Sequence, residues 1–240
     1  MAAAPFTVTV SRERAVRFLD PAFMTFDLAL LMRKRHLALN VRSIGDLNTY
    51  DPTNITCGVV ASGSSADFLR TSRYSVMWSR MHAAGDASFP ASVEEAVRRV
   101  RASTDDRPYI FIGEQNTLEY HASRQPCDLV VVRGPEPEMD GEYRLAVSRD
   151  FYQQDIVDKL EAALGKLLES GRLEQLYQKW WTEQSQCSLA TTEAPSETTT
   201  EGETTTEGES TTEGETTTEG ETTTQRETTT EAPLETTTAE

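Results

Sequence analysis

The sequence lacks long apolar runs, and it has few histidines and few cysteines. A membrane helix needs roughly 18–20 apolar residues, and the most apolar stretch, residues 23–32, is too short to supply them. The histidines, His36, His82 and His121, lie in unrelated contexts, and no nucleophile elbow, P-loop or zinc-ligand spacing occurs. These absences argue against an enzyme, a bound metal and a cofactor. Met1–Pro5 also lacks the charged and apolar regions of a secretory signal peptide.

Positive charge is scarce as well: 23 Lys and Arg face 39 Asp and Glu, a net charge of −16. No basic stripe with interleaved aromatic residues occurs, which argues against a nucleic-acid partner. Residues 188–240 repeat Thr-Thr-Thr-Glu-Gly-Glu, and their fourteen Glu against the single Arg226 give −13, so residues 1–187 carry −3. This tail has too few apolar residues to offset its chain entropy and is predicted to be disordered, as an O-glycosylated stalk or an acidic spacer.

The remaining chain alternates between strand and helix patterns. Residues 5–11 alternate and are rich in β-branched side chains, which predicts a strand. Ser92-Val93-Glu94-Glu95 predicts a capping box at the start of a helix. Residues 109–112 and 129–132 predict buried strands, and an apolar stripe over residues 156–167 predicts an amphipathic helix. The alternation predicts an α/β architecture.

Separate segments carry the groups that an α-amino acid ligand requires. Such a ligand has a carboxylate and an ammonium on one carbon, so its receptor needs a guanidinium and N–H donors for the first, and a carboxylate and carbonyls for the second. Arg12 follows Pro5-Phe6-Thr7, Ser64 and Ser65 open a predicted helix, and Glu114 follows a predicted strand. A helix N-terminus attracts anions. Each residue alone fits a solvated surface or a cap; together they favour an amino-acid site.

In this order and spacing, the motifs resemble the ligand-binding domain of animal ionotropic glutamate receptors, of the AMPA or kainate type. Pro5-Phe6-Thr7 with Arg12, Ser62-Gly63-Ser64-Ser65, Gln125-Pro126-Cys127-Asp128 and Lys179-Trp180-Trp181 carry the resemblance. It implies a two-lobed, periplasmic-binding-protein-like clamshell with a complete second lobe, a mostly missing first lobe and the disordered tail.

The resemblance also implies a division of the chain. Residues 1–34 correspond to the end of the first ligand-binding segment, a part of lobe one, and residues 35–50 to a connector in place of the membrane segments. Residues 51–187 correspond to the second segment, which is lobe two, and residues 188–240 are the tail. Trp180 and Trp181 are expected to be core anchors.

The resemblance assigns roles to individual residues. Arg12 and the backbone N–H of Ser64 would hold the ligand carboxylate. The Pro5 carbonyl and the Thr7 hydroxyl would take the ammonium, with Glu114 as the counter-charge.

Other positions bear on ligand choice and on covalent modification. Ser65 stands where glutamate-selective members usually carry Thr, so L-glutamate and glycine both remain candidate ligands. Cys127 and Cys187 match the paired cysteines of the family, and Cys57 is expected to be a small buried hydrophobe. Asn54 begins a weak N-glycosylation sequon.

By the same resemblance, the chain is predicted to be the ligand-binding part of a ligand-gated cation channel subunit. It would act at the extracellular face of the plasma membrane, with other subunits in a tetramer. The alternatives are a soluble or secreted amino-acid-binding protein of the periplasmic type and a non-conducting receptor remnant.

Overall fold

A computed structural model describes residues 2–49, 55–187 and 191–193, and its strands form two sheets. The strands are β1 (Ala2–Thr7), β2 (Val16–Phe18), β3 (Met24–Phe26), β4 (Leu28–Arg33), β5 (Thr56–Gly58), β6 (Tyr109–Glu114), β7 (Leu129–Arg133), β8 (Gly141–Ser148) and β9 (Thr191–Glu193). The α-helices are α1 (Val10–Ala15), α2 (Ile44–Thr49), α3 (Ser64–Thr71), α4 (Ser75–Ala84), α5 (Val93–Ala102), α6 (Gln115–Ala122), α7 (Gln154–Glu169) and α8 (Arg172–Tyr177). The chain also forms 3₁₀ turns at Lys34–Leu39 and Gly85–Ala87 and a π-helical turn at Gln178–Glu183.

Two of the sequence predictions fall on parts of the chain that the structure does not describe. Asn54, the predicted glycosylation site, lies outside the described residues, and so do residues 188–190 and 194–240 of the tail.

Within the predicted tail, Thr191–Glu193 forms β9 and pairs in parallel with β7. Among the described helices, none combines the length and the apolar character that a membrane crossing needs.

The larger sheet has the strand order β5-β6-β4-β7-β9 and is centred on the apolar residues of β4. Leu28, Leu30 and Met32 belong to one core cluster, whereas the residues between them belong to a second cluster, as the two-residue period of a strand dictates. Helices α2, α3 and α4 complete the first cluster, and α5 and α6 complete the second. The continuous apolar run therefore marks a strand that is covered on both faces.

The smaller sheet is centred on β8, which pairs antiparallel with β1, β2 and β3. Helix α7 covers this sheet by packing Val157 against Leu19 and Val147. We refer to the smaller sheet with α1 and α7 as the smaller lobe, and to the larger sheet with α2–α6 as the larger lobe.

The division of the chain between the lobes differs from the boundaries expected from the sequence. Residues 28–33 were expected in the first segment but form the central strand of the larger lobe. Residues 141–169 were expected in the second segment but supply the central strand and the covering helix of the smaller lobe. Residues 35–50 were expected to be a connector, yet Ile44 and Leu47 of α2 are buried in the core of the larger lobe.

Asp27 joins two places where the chain passes between the sheets. One passage lies between β3 and β4, at Asp27 itself, and the other lies between β7 and β8. The Asp27 carboxylate accepts hydrogen bonds from the backbone N–H groups of Glu138 at 3.0 Å and Met139 at 2.7 Å. Its backbone carbonyl accepts one from the N–H of Gln115 at 2.8 Å. One residue thus fixes both passages relative to the end of β6.

We expect Asp27→Ala to lower the free energy of unfolding by about 2 kcal/mol, because two part-buried N–H groups lose a charged acceptor. Urea unfolding followed by circular dichroism measures this change. Asp106→Ala removes an exposed carboxylate instead and should change the free energy by less than about 0.5 kcal/mol. Equal effects of the two substitutions would contradict the role given to Asp27.

Candidate functional site

Arg12 lies on α1, a helix that replaces the second half of a predicted strand. Residues 5–11 alternate as a strand does, but β1 ends at Thr7 and α1 begins at Val10. The Thr9 hydroxyl accepts a hydrogen bond from the N–H of Arg12 at 3.3 Å, and a Thr at this position favours the start of a helix. The strand prediction for residues 8–11 was therefore wrong, since the cap overrides the alternating pattern.

The Arg12 guanidinium is held at the edge of the smaller lobe by two contacts. Its Nη1 donates a hydrogen bond to the Thr7 carbonyl at 3.0 Å, and its Cζ lies 4.7 Å from the centre of the Phe6 ring. These contacts fix the plane of the guanidinium, and the side chain lines the cleft between the lobes. A guanidinium fixed in this way is suited to bidentate recognition of a carboxylate.

Ser64 and Ser65 form the first turn of α3, on the larger lobe. Gly63 is the N-cap, and its N–H donates to the Val60 carbonyl at 3.0 Å. Both serines are buried and line the same cleft as Arg12. The first N–H groups of a helix have no partner within the helix, so this turn offers donors to an anion.

Glu114 is the point at which the two lobes meet. Its Oε1 accepts hydrogen bonds from the Thr7 hydroxyl at 2.9 Å and the Ser64 hydroxyl at 2.6 Å, and its Oε2 accepts one from the Tyr143 hydroxyl at 2.5 Å. Thr7 and Tyr143 lie opposite each other in the β1–β8 pairing. A carboxylate of the larger lobe is thus held by a pair of hydroxyls on the smaller lobe.

Tyr143 is a site residue that the sequence did not reveal. Its burial and the adjacent Glu114 carboxylate raise the pKa of Tyr143 above its ordinary value, so the phenol stays protonated and can donate its hydrogen bond. Its ring stacks on Phe26, with centroids 4.4 Å apart. No local pattern marks Tyr143, because its place depends on the register of β8 against β1.

The structure brings five of the predicted ligand-binding residues into one cleft of about 460 Å³: Thr7, Arg12, Ser64, Ser65 and Glu114. This volume lies within the range of small-molecule sites. Pro5 lies in β1, but its side chain is not among those described, and its role stays a prediction.

Four further polar residues that the sequence did not assign to the site line the cleft: Ser92, Glu94, Thr117 and His121. The first two open α5, where the sequence pattern predicted only a helix cap. Thr117 and His121 follow Glu114 by three and seven residues, a helical spacing that could have indicated them.

The cysteines and tryptophans are not among the residues that line the cleft. Cys127 and Cys187 form a disulfide, as the resemblance implies, with their Cα atoms 5.4 Å apart, and Cys57 is a free, partly buried thiol. Trp181 donates from Nε1 to the Asn116 carbonyl at 2.7 Å and anchors the last helical turn. Trp180 is 42% exposed, so the prediction that both tryptophans are core anchors was wrong for this residue, which carries Lys179 over its ring.

Comparison with known proteins places the chain in a family. Residues 1–183 match the family of bacterial extracellular solute-binding proteins, family 3, and the chain belongs to that family. It is also 30% identical over 179 residues to glutamate receptor 3 of Homo sapiens and to that of Rattus norvegicus. The match covers 73% of this chain and 19% of either receptor, so the chain spans about a fifth of their length.

The fold is similar to that of a solved receptor structure. The Drosophila muscle GluRIIB complex with glutamate matches with a TM-score of 0.64 at 24% identity, over 75% of this chain and 67% of that chain. The predicted resemblance to ionotropic glutamate receptor ligand-binding domains is confirmed, and so is the α/β, periplasmic-binding-protein-like fold.

Proposed function

We propose that the cleft between the lobes binds an α-amino acid, such as L-glutamate or glycine. The observation that carries this proposal is the convergence of a fixed guanidinium, a helix N-terminus and a hydroxyl-bound carboxylate on one cleft. Arg12 and the N–H groups of Ser64 and Ser65 would take the α-carboxylate. Glu114 and the Thr7 hydroxyl, with the Pro5 carbonyl, would take the α-ammonium.

Binding at this place would draw the lobes together. Arg12 and Thr7 belong to the smaller lobe, whereas Ser64 and Glu114 belong to the larger one. A ligand that contacts both sets binds the closed arrangement better than an open one, and it therefore shifts the population towards closure. We propose that the chain is the ligand-binding part of an ionotropic glutamate receptor-like subunit, in which closure would act on a cation channel at the cell surface together with other subunits. This role requires no catalysis by the cleft.

A solute-binding protein that does not gate a channel is the second candidate, because the family match itself is to solute-binding proteins. The two candidates share the cleft chemistry and differ in where the protein resides. An antibody against residues 1–187 would separate them in fractionated source tissue. A membrane-bound protein much larger than the chain favours the receptor, and a secreted protein of the chain's own mass favours the second candidate.

Thermal unfolding tests the cleft assignment. A ligand that binds the folded state alone raises the melting temperature in proportion to the logarithm of its concentration. We expect L-glutamate or glycine to do so, and glutarate, which has no ammonium group, to have little effect. A folded protein whose melting temperature neither amino acid changes would contradict the proposal.

We expect Tyr143→Phe to weaken amino-acid binding about tenfold, because the Glu114 carboxylate loses one of the donors that hold it. Calorimetric titration measures the affinity. The matched control is Tyr152→Phe, which removes the hydroxyl of a side chain that is 89% exposed and should leave the affinity unchanged. If Tyr143→Phe bound as tightly as the parent protein, the positioning of Glu114 would not depend on this hydroxyl.

A further inference from the structure

The cleft extends beyond the groups that would hold the ligand's α-carbon. Ser92 and Glu94 at the start of α5, together with Thr117 and His121 on α6, line its remaining polar surface. We call these four residues the α5–α6 wall. Neither the carboxylate nor the ammonium of the proposed ligand needs any of them, so the wall is open to the ligand's side chain.

The far end of the α5–α6 wall is separated from Glu114 by a distance that a long ligand side chain could span. Glu114 immediately precedes α6, and Thr117 and His121 follow it on the same face of the helix. With a rise of about 1.5 Å per residue, His121 is displaced by roughly 10 Å along the helix axis from Glu114. A ligand whose ammonium meets Glu114 would need an extended side chain to approach His121, which is close enough to Glu94 for the two to interact electrostatically. The cleft volume of about 460 Å³ leaves room for such a side chain.

The charge of the lining favours a cationic group at the far end of that side chain. Among the described residues that line the cleft, the charged ones are Arg12, Glu94 and Glu114. Hydrogen bonds from its own backbone N–H and from the Ser92 hydroxyl lower the pKa of Glu94, so this carboxylate is ionised at neutral pH. Burial lowers the pKa of His121, so the imidazole is neutral there. Arg12 and Glu114 balance each other, and the cleft retains one negative charge.

We propose that the α5–α6 wall is a subsite for a long side chain that ends in a cation, so that the cleft binds L-lysine more tightly than L-glutamate. The inference rests on the proposed amino-acid site and narrows its ligand. L-lysine brings the net charge of the cleft to zero, whereas L-glutamate adds a second unbalanced negative charge near Glu94. Glycine does not reach the wall and binds independently of it.

Calorimetric titration of the full chain tests the proposal with four ligands: L-lysine, L-norleucine, L-glutamate and glycine. L-norleucine has the four-carbon side chain of L-lysine without its terminal ammonium. The variant is Glu94→Gln, and the control is Glu136→Gln, which neutralises an exposed carboxylate outside the cleft. In the parent protein we expect L-lysine to bind about fivefold more tightly than L-norleucine. This factor corresponds to the interaction free energy of an exposed charge pair.

The Glu94→Gln variant should change the affinities in opposite directions. It should weaken the binding of L-lysine about fivefold, strengthen the binding of L-glutamate and leave the affinity for glycine unchanged. Glu136→Gln should change none of these affinities. Tighter binding of L-glutamate than of L-lysine to the parent protein, or a lysine preference that survives in Glu94→Gln, would overturn the inference while leaving the amino-acid site intact. Absence of binding by every ligand, glycine included, would overturn the amino-acid site and the inference with it.

Discussion

Arg12→Lys should weaken the binding of any α-amino acid by about 100-fold, the largest effect that we expect from a single substitution in the cleft. The ligand α-carboxylate is common to all amino acids, and a planar guanidinium can meet its two oxygens with two parallel N–H donors. Lysine keeps the charge but offers a single, flexible ammonium in place of that fork. Its single nitrogen would also have to divide its donors between the Thr7 carbonyl and the ligand. Calorimetry with the best-binding amino acid measures the loss.

Arg14→Lys is the matched control, because Arg14 lies on the same short helix, is exposed and does not line the cleft. It should bind the amino acid as the parent protein does. Both variants should unfold at nearly the same urea concentration as the parent protein, which separates a loss of binding from a loss of fold. If Arg12→Lys bound within about twofold of Arg14→Lys, the ligand carboxylate would not lie on Arg12.

Replacing Cys127 and Cys187 together with serine should lower the free energy of unfolding by about 4 kcal/mol. The disulfide closes a loop with a sequence separation of 60, and in the chain-entropy account opening a loop of that length gives the unfolded chain this much additional freedom. For a domain of this size the change corresponds to a fall of roughly 10 °C in the melting temperature. Calorimetric unfolding measures it.

The fold should survive this loss, because the C-terminal segment keeps other attachments to the larger lobe. Trp181 donates to the Asn116 carbonyl, and the Gln186 N–H donates to the Ser123 carbonyl at 2.8 Å. A reductant provides the control: it should lower the melting temperature of the parent protein to that of the double variant and leave the double variant unchanged. A double variant as stable as the oxidised parent would contradict a stabilising role for the disulfide.

Much of the larger lobe could be predicted from local patterns in the sequence. The capping box at Ser92 predicts the start of α5, and the structure shows the Glu95 N–H bonded to the Ser92 hydroxyl at 3.3 Å. The buried strands β6 and β7 follow from short apolar runs. These elements are predictable because their signals lie within a few residues, where caps and periodicity act.

The elements that the sequence misplaced depend on distant parts of the chain. The apolar run of β4 has no alternation, because helices cover both faces of the sheet, and nothing within the run shows that it belongs to the larger lobe. The return of β8 to the smaller sheet likewise depends on pairing with strands more than a hundred residues away. Helix α1 is the exception, because its signal is local: the alternating pattern runs into α1, and the capping hydroxyl of Thr9 outweighs it.

The residues of the candidate site likewise divide into those that a local motif indicates and those whose position depends on distant parts of the chain. Arg12, Ser64 and Glu114 could be predicted, because each stands in a short motif whose order along the chain carries the resemblance. Tyr143 could not, since its contact with Glu114 arises from the register of β8. Glu94 and His121 have ordinary helix contexts, and their position beside the cleft becomes visible in the packing of α5 and α6.

The most direct test of the central claim is a crystal structure of the chain with the amino acid that binds most tightly. We predict that the ligand lies between the lobes, with a carboxylate oxygen about 2.7–3.0 Å from the Arg12 guanidinium and the α-ammonium at a similar distance from Glu114. A ligand bound outside this cleft, or bound within it with its carboxylate on neither Arg12 nor the first turn of α3, would contradict the account.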